Sequence, residues 1–327
     1  MSKFKFLYLI FGVSLLFLIF NYVDFNSLIN ELNKLRFNIL IILFIYFFGF
    51  VFDCYSWKLC IDNLVKKKLR FYEVFKIRII GEAFNYIFFQ VGGEPVKAFL
   101  LKNKFNIKYK SSISSLILAK TIILFALIIF CFIGLLSIFY INKFGNNFEK
   151  ASLIGFVLFT TLIISFFIVQ RYKLTSRLHG VFKHKLSKKF NSFFKHLEDT
   201  ELKIVDFYKT RKKVFFKILF LNLSNWFFGA LELYTIFFLL NQKISFLEAI
   251  AIETLVQLVR AMLFFIPSNI GTQEGVFVIV VNILKDSTPL GLAVAVIRRL
   301  REIIWISIGL ILGFNQKIDF KEIKKKL

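Results

Sequence analysis

Cysteine, histidine and proline each occur only three times in 327 residues, and their placement excludes more than it offers. Cys54, Cys60 and Cys131 all stand in apolar runs, and an odd number so spaced makes neither a disulfide framework nor a metal-binding pattern. His179, His184 and His196 share one basic loop with no cysteine cluster beside them, so no zinc ligand set forms. Acidic residues are scarce as well: 20 against 44 lysines and arginines, a formal charge of +24. In a soluble protein that excess would point to nucleic acid. A mean hydropathy of +0.70 excludes a water-soluble core with a polar shell, and the basic residues fall between apolar runs, as the positive-inside bias and attraction to anionic lipid require. The reading is a membrane protein with no nucleic-acid partner and no cofactor.

What is present is a series of apolar runs of membrane-spanning length, which as helix is about 20 residues. The first, residues 4–23, follows Lys3 and Lys5 but lacks a small-residue cleavage site, so it reads as a retained helix rather than a signal peptide. Charge counting then orients the chain. Residues 24–36 form an outer segment of balanced charge, and residues 37–61 return to a cytoplasmic loop holding Lys66, Lys67, Lys68, Arg70, Lys76 and Arg78. Residues 79–91 are too short to cross and are flanked by lysines on the far side too, which makes residues 79–102 a re-entrant element entering from the cytoplasm. Residues 113–141 and 151–170 span. The basic segment 171–213 is cytoplasmic and carries Leu178, Phe182, Leu186, Phe190, Phe193, Phe194 and Leu197 at helical spacing, fit either for the inner leaflet or for a connector under the bundle. Residues 214–240 span again, residues 247–284 form a second broken element, and residues 290–314 lead to a lysine-rich tail. The expected architecture is a single all-α polytopic domain over residues 1–327, with about six full spans, two re-entrant or broken elements in inverted arrangement and both termini cytoplasmic. Residues 247–266 alternatively cross completely, adding one span.

The two broken elements carry the chemistry. Gln90-Val91-Gly92-Gly93-Glu94-Pro95 and Pro267-Ser268-Asn269-Ile270-Gly271-Thr272-Gln273-Glu274-Gly275 interrupt apolar sequence with glycine, a carboxylate and two of the three prolines. A break in each half of a membrane protein is the pattern of discontinuous helices around a substrate site near the bilayer midplane. Glu94 is expected to cap a returning helix with Pro95 at its first position, and the open N–H groups of that helix and of the one after Thr272 favour an anionic group such as lipid phosphate. Otherwise the glycines and prolines only shape two turns. Ionisable residues within apolar sequence extend the pattern, because burying them is costly and they face a cavity or a partner. Glu82 and Asn85 precede the first break. Glu253, Gln257 and Arg260 share one helical face, Asn222, Asn225, Gly229 and Glu232 another, and Arg298 and Glu302 stand at i and i+4 beside Arg299 and Arg301. The arginines contact headgroups or pair with Glu253, Glu274 or Glu302. Asp53 and Lys120 stand isolated, each able to snorkel.

At these breaks the sequence resembles the flippase-like family, the transmembrane region of lysylphosphatidylglycerol synthases. A Gly-Gly-Glu-Pro-x-Arg-type motif reads here Gly92-Gly93-Glu94-Pro95-Val96-Lys97, with lysine for arginine, and a Pro-Gly-Gly-x-Gly-x-x-Glu-Gly-type loop reads Pro267 to Gly275, with Ser268 and Asn269 for the early glycines. A proline that often precedes the first motif is absent at Phe88 and Phe89, and a Glu-Arg-x-x-Asp pattern of the third helix is reduced to Ala119-Lys120-Thr121-Ile122-Ile123. The resemblance covers essentially the whole chain. It implies movement of lipid between leaflets by a stand-alone membrane region, since neither the aminoacyl-transferring soluble domain nor a fused glycosyltransferase domain stands in this sequence.

The resulting expectation is a lipid translocase of the cell membrane rather than an enzyme. Its binding residues are Gly92, Gly93, Glu94, Pro95, Lys97, Arg260, Gly271, Thr272, Glu274, Gly275 and Arg298, and its cavity is lined by Glu82, Asn85, Glu232, Glu253 and Glu302. Its partners are membrane lipids, anionic or lipid-linked, and a separate lipid-modifying enzyme if it works with one. Two rivals stand beside it: an embedded enzyme acting on lipid-linked phosphate or sugar, with Glu94 and Glu274 as general acid and base, and a non-transporting partner of a lipid synthase.

Overall fold

The computed structural model describes residues 25–35, 38–65, 67–87, 92–172, 188–263, 266–314 and 316. The first apolar run, residues 4–23, lies outside them. Among the described residues the chain is all helix: α1 (Phe25–Leu35), α2 (Ile39–Val65), α3 (Phe71–Ile87), α4 (Gly93–Phe105), α5 (Tyr109–Ile141), α6 (Asn146–Arg171), α7 (Lys188–Thr210), α8 (Lys212–Leu239), α9 (Phe246–Met262), α10 (Thr272–Lys285) and α11 (Thr288–Phe314), with a 3-10 turn at Pro267–Asn269 between α9 and α10.

Four of these, α2, α5, α6 and α8, are long and apolar enough to cross a membrane. Helix α11 matches α2 in length, but Arg298, Arg299, Arg301 and Glu302 sit at its centre. Helices α2, α5 and α8 pack on one another as a central frame, and the two short helix pairs use opposite ends of it. Trp57 and Ile61 of α2, Leu118 and Ile122 of α5 and Ile218 of α8 close over Ile77 and Ile80 of α3 and Leu100 and Leu101 of α4. At the other end of the same helices, Ile42, Ile138 and Phe237 close over Ile252 and Val256 of α9 and Phe277 and Val281 of α10. Helix α11 runs the length of the frame, from Val294 and Ile297 in the second core to Trp305 and Leu312 against Phe50 and Ile79. Helix α6 is peripheral, and Ile154, Val157, Leu158 and Leu162 stay exposed on its outer face as lipid-facing residues do.

Several local expectations shift. Residues 24–36, expected as an outer segment with no element assigned, contain the helix α1, whose Leu28 is buried against Leu292 and Ala293 of α11. The helix pairs at the two breaks run wider than the expected 79–102 and 247–284, because α3 begins at Phe71 and α9 at Phe246. Ser245 and Glu248 form a reciprocal capping box that fixes the α9 start. Arg78, counted with the cytoplasmic loop, is thereby inside α3 and buried. In the basic segment, Leu178, Phe182 and Leu186 lie outside the described residues, and α7 behaves at its C-terminal half as a connector: Ile204, Val205, Phe207 and Tyr208 are buried, three of them in the first core.

The first pair closes through glycine. A Cβ at Gly93 would fall on the Gly81 carbonyl, so the α3–α4 approach depends on the bare backbone of α4. Gly93→Ala is expected to cost about 1–3 kcal/mol or more through overpacking. Gly155→Ala in α6, where the nearest atom is the flexible end of Met262, should be close to neutral. Thermal unfolding of the two purified variants, followed by the monodisperse fraction on gel filtration, checks the contrast.

Candidate functional site

The first break is held from across the hairpin. Helix α4 starts at Gly93, with Gly92 as its cap residue and no side chain capping from that position. The expectation that Glu94 caps and Pro95 takes the first position is therefore corrected: Glu94 and Pro95 are the second and third residues of the helix, still within the first turn, where a missing N–H breaks no intrahelical bond. The capping acceptor comes instead from α3. Asn85 Oδ1 accepts from the Gly93 N–H at 2.7 Å, while its Nδ2 donates to Glu82 at 3.1 Å.

From there a chain of alternating charge crosses four helices. Asp53 of α2 takes a bidentate pair from Arg78 of α3 at 2.7 and 2.9 Å. Arg78 lies 3.4 Å from Glu82, one turn along α3, and the Arg78 guanidinium also faces the Trp57 ring at 5.6 Å. Glu82 accepts from Lys97 of α4 at 2.6 Å, Lys97 reaches Glu94 at 3.0 Å, and Glu94 lies 3.6 Å from Lys120 of α5. Asp53 and Lys120 are thus not isolated. The three carboxylates and three cations sum to zero.

At the second break the backbone turns through the left-handed region at Ser268 (φ 54), Asn269 (φ 50) and Gly271 (φ 81). Glu274, in the first turn of α10, folds back so that its Oε2 accepts from the Gly271 N–H at 2.9 Å, and Thr272 donates to the Asn269 carbonyl at 3.0 Å. Gly275 closes the first helical turn, its N–H donating to the Gly271 carbonyl. Glu274 Oε1 is clamped by Arg299 of α11 through two nitrogens at 3.0 and 2.5 Å, and Arg299 also holds Glu302 at 2.9 Å and the Ser268 carbonyl at 3.1 Å. Arg260 of α9 stands 4.0 Å from Glu302. Deeper along α11, Arg298 pairs with Glu253 at 2.7 Å and lies 3.6 Å from Glu232 of α8, which Arg301 contacts at 3.0 Å. Gln257 donates to Glu253 at 2.7 Å, and Arg301 covers the Tyr46 ring at 3.9 Å. Four arginines meet four glutamates, and the sum is again zero.

The two breaks touch. Ser268 at the second donates to the backbone carbonyl of Tyr86, one turn before the first, at 2.6 Å, and the Tyr86 side chain neighbours Arg260. A narrow cleft beside this contact is lined by Tyr46, Glu82, Tyr86, Arg301, Glu302 and Trp305, joining the two ionic groups. Its free volume of about 20 Å³ holds little more than one water. The structure thus gathers Glu82, Asn85, Gly92, Gly93, Glu94, Pro95 and Lys97 at one break and Glu232, Glu253, Arg260, Gly271, Thr272, Glu274, Gly275, Arg298 and Glu302 at or behind the other. Sequence reasoning passed over the roles of Asp53, Arg78 and Ser268 and the Arg301–Glu232 pair; of its two readings for the arginines, pairing with Glu253, Glu274 or Glu302 is the one the geometry shows for Arg298 and Arg299. Arg78 was recoverable, since it stands four residues before Glu82 and pairs along any helix extended back to Phe71.

An apolar helical bundle that buries its charges as compensated groups around two broken helix pairs is a helical membrane protein. The family described as lysylphosphatidylglycerol synthase TM region matches residues 6–309, and the chain belongs to it. Comparison with curated proteins and with solved structures gives no match. Membership connects the chain to membrane-lipid function, and the three positions of positive φ in the second break, Ser268, Asn269 and Gly271, are three of the four at which the motif it resembles carries glycine. Here asparagine, which tolerates that conformation, and serine, whose hydroxyl engages Tyr86, take two of them.

Removing the Asn85 acceptor leaves the buried Gly93 N–H without a partner. Asn85→Ala is expected to lower stability by about 1–3 kcal/mol, measured as the unfolding midpoint of the purified protein. A midpoint equal to wild type would show that the cross-hairpin cap does not fix the first break.

Proposed function

We propose that the protein moves a phospholipid or lipid-linked headgroup between the leaflets of the cell membrane, both termini being cytoplasmic. The observation that carries this reading is the contact of Ser268 with the Tyr86 carbonyl, which brings the tips of two broken pairs together between the ends of the α2–α5–α8 frame. Each leg, α3, α4, α9 and α10, has 17 residues or fewer, short of the roughly 20 needed to cross. Packed at opposite frame ends, the pairs act as re-entrant elements of opposite sense. With α2, α5, α6, α8, α11 and the first apolar run they make about six full spans around an inverted repeat, the geometry of alternating access.

In this reading the 20 Å³ cleft is the closed state. Separation of the tips opens a polar path flanked by the α4 and α10 helix starts, where Gly92, Gly93, Glu94, Pro95, Gly271, Thr272, Glu274 and Gly275 contact the headgroup. Lys97, Arg260 and Arg298 offer cations to its phosphate, and Glu82, Asn85, Glu232, Glu253 and Glu302 line the path. The substrates and partners are membrane lipids with anionic or lipid-linked headgroups, delivered from or passed to a separate lipid-modifying enzyme.

Reconstitution into liposomes containing headgroup-labelled lipids tests the proposal. Outer-leaflet quenching should reach the inner-leaflet label faster than in empty vesicles, with the lipid's mass unchanged. No acceleration across a panel of anionic, zwitterionic and polyprenyl-phosphate lipids would overturn it, and a lipid of altered mass would favour the embedded enzyme instead.

A further inference from the structure

Lys120, the most exposed cation of the two ionic groups, differs from their buried cations. Arg78, Lys97, Arg298 and Arg301 are at most 5% exposed, and each meets a carboxylate within hydrogen-bonding distance, at 2.7, 2.6, 2.7 and 3.0 Å. Moving any of them uncovers a buried charge. The Lys120 side chain is 43% exposed and stands 3.6 Å from Glu94, beyond a normal hydrogen bond. It lies about 10 Å along α5 from the first apolar turn at Ile113, a depth within reach of a phosphate drawn in from the adjoining leaflet. Glu94 has complementary spare capacity. Its Oε1 serves Lys97 and faces Lys120, while its Oε2 is buried with no hydrogen-bond partner.

We propose that Lys120 and Glu94 Oε2 form the entry site for a lipid headgroup carrying a phosphodiester next to a hydrogen-bond donor. The Lys120 ammonium binds the phosphate, and Glu94 Oε2 accepts from a neighbouring hydroxyl or ammonium of the same headgroup. Lys120 can turn to a phosphate without stranding Glu94, because Lys97 still holds that carboxylate at 3.0 Å. The site selects two features together: phosphate alone satisfies Lys120 and leaves Glu94 Oε2 unpaired. Its place in transport rests on the translocase reading, but binding at Lys120 is measurable without transport.

The test is amine-reactive footprinting of the full chain in detergent, read by peptide mass spectrometry, with surface lysines as internal controls. Phosphatidylglycerol and phosphatidylethanolamine are each expected to lower Lys120 labelling about tenfold, as loss of a charge-assisted contact implies. Phosphatidylcholine, which has phosphate but no donor, should protect less, and diacylglycerol not at all. Native mass spectrometry should show phosphatidylglycerol binding weakened about tenfold in Lys120→Gln and kept in Lys120→Arg. Equal protection by diacylglycerol, equal protection by phosphatidylcholine, or wild-type binding by Lys120→Gln overturns the proposal. Equal protection by water-soluble glycerol phosphate overturns it as a lipid site. If Lys120→Gln fails to fold, the wild-type footprint decides. Protection without flipping in liposomes leaves this site standing and removes the translocase reading.

Discussion

Charges inside an apolar bundle persist only where each has a counter-charge within reach, because desolvating an unpaired ion costs several kcal/mol. That constraint organises this protein. Asp53, Arg78, Glu82, Lys97, Glu94 and Lys120 tie α2, α3, α4 and α5 together, and four glutamates with four arginines tie α8, α9, α10 and α11. Neither group has a net charge. Each is built around one broken helix pair, so the turns that interrupt the helices are held by ion pairs rather than by apolar packing alone.

Compensation also limits what the interior can do. Arg298 is clamped between Glu253 and Glu232 and Arg301 is held by Glu232, so either can approach a phosphate only if its glutamate partners gain another partner in the same movement. The tip contact between Ser268 and Tyr86 joins the two breaks, and the Arg299 bridge from Glu274 to Ser268 and Glu302 holds the second break behind it. Opening there would be a concerted exchange of ion pairs, which suits a two-state carrier better than a permanently open channel. Lys120, 3.6 Å from Glu94, and Arg260, 4.0 Å from Glu302, are the most loosely held cations of the two groups.

Much of the fold was legible in the sequence, and for a physical reason: spans announce themselves by apolar length and loops by lysine. Helices α2, α5, α6 and α8 came out close to their observed limits. Boundaries failed where charge lies inside a helix. Arg78 looked like loop because lysines precede it, yet Asp53, a helix away in sequence, neutralises it; Asp53 looked isolated for the same reason. Residues 24–36 were read by charge balance alone, which does not report that Leu28 finds Leu292 and Ala293. At the breaks, glycine and proline marked the turns, but which side chain caps Gly93 depends on α3 folding back, and no local pattern places Asn85 there. For Arg299, pairing with a glutamate stood open beside headgroup contact, with no means to choose the partner. Its partners, Glu274 and the Ser268 carbonyl, lie about 25 to 31 positions away in sequence, a separation at which helical periodicity says nothing.

The claim on which these points rest is that the buried charges are mutual partners rather than residues facing water. A double-mutant cycle on Glu253 and Arg298, the 2.7 Å pair at the centre of the second group, tests it most directly through the unfolding free energy of the purified chain. Glu253→Gln and Arg298→Gln are each expected to cost about 3–5 kcal/mol by stranding a buried charge, and the double variant to be more stable than either single one. Two single variants within about 0.5 kcal/mol of wild type, adding without coupling as exposed sites do, would contradict the account.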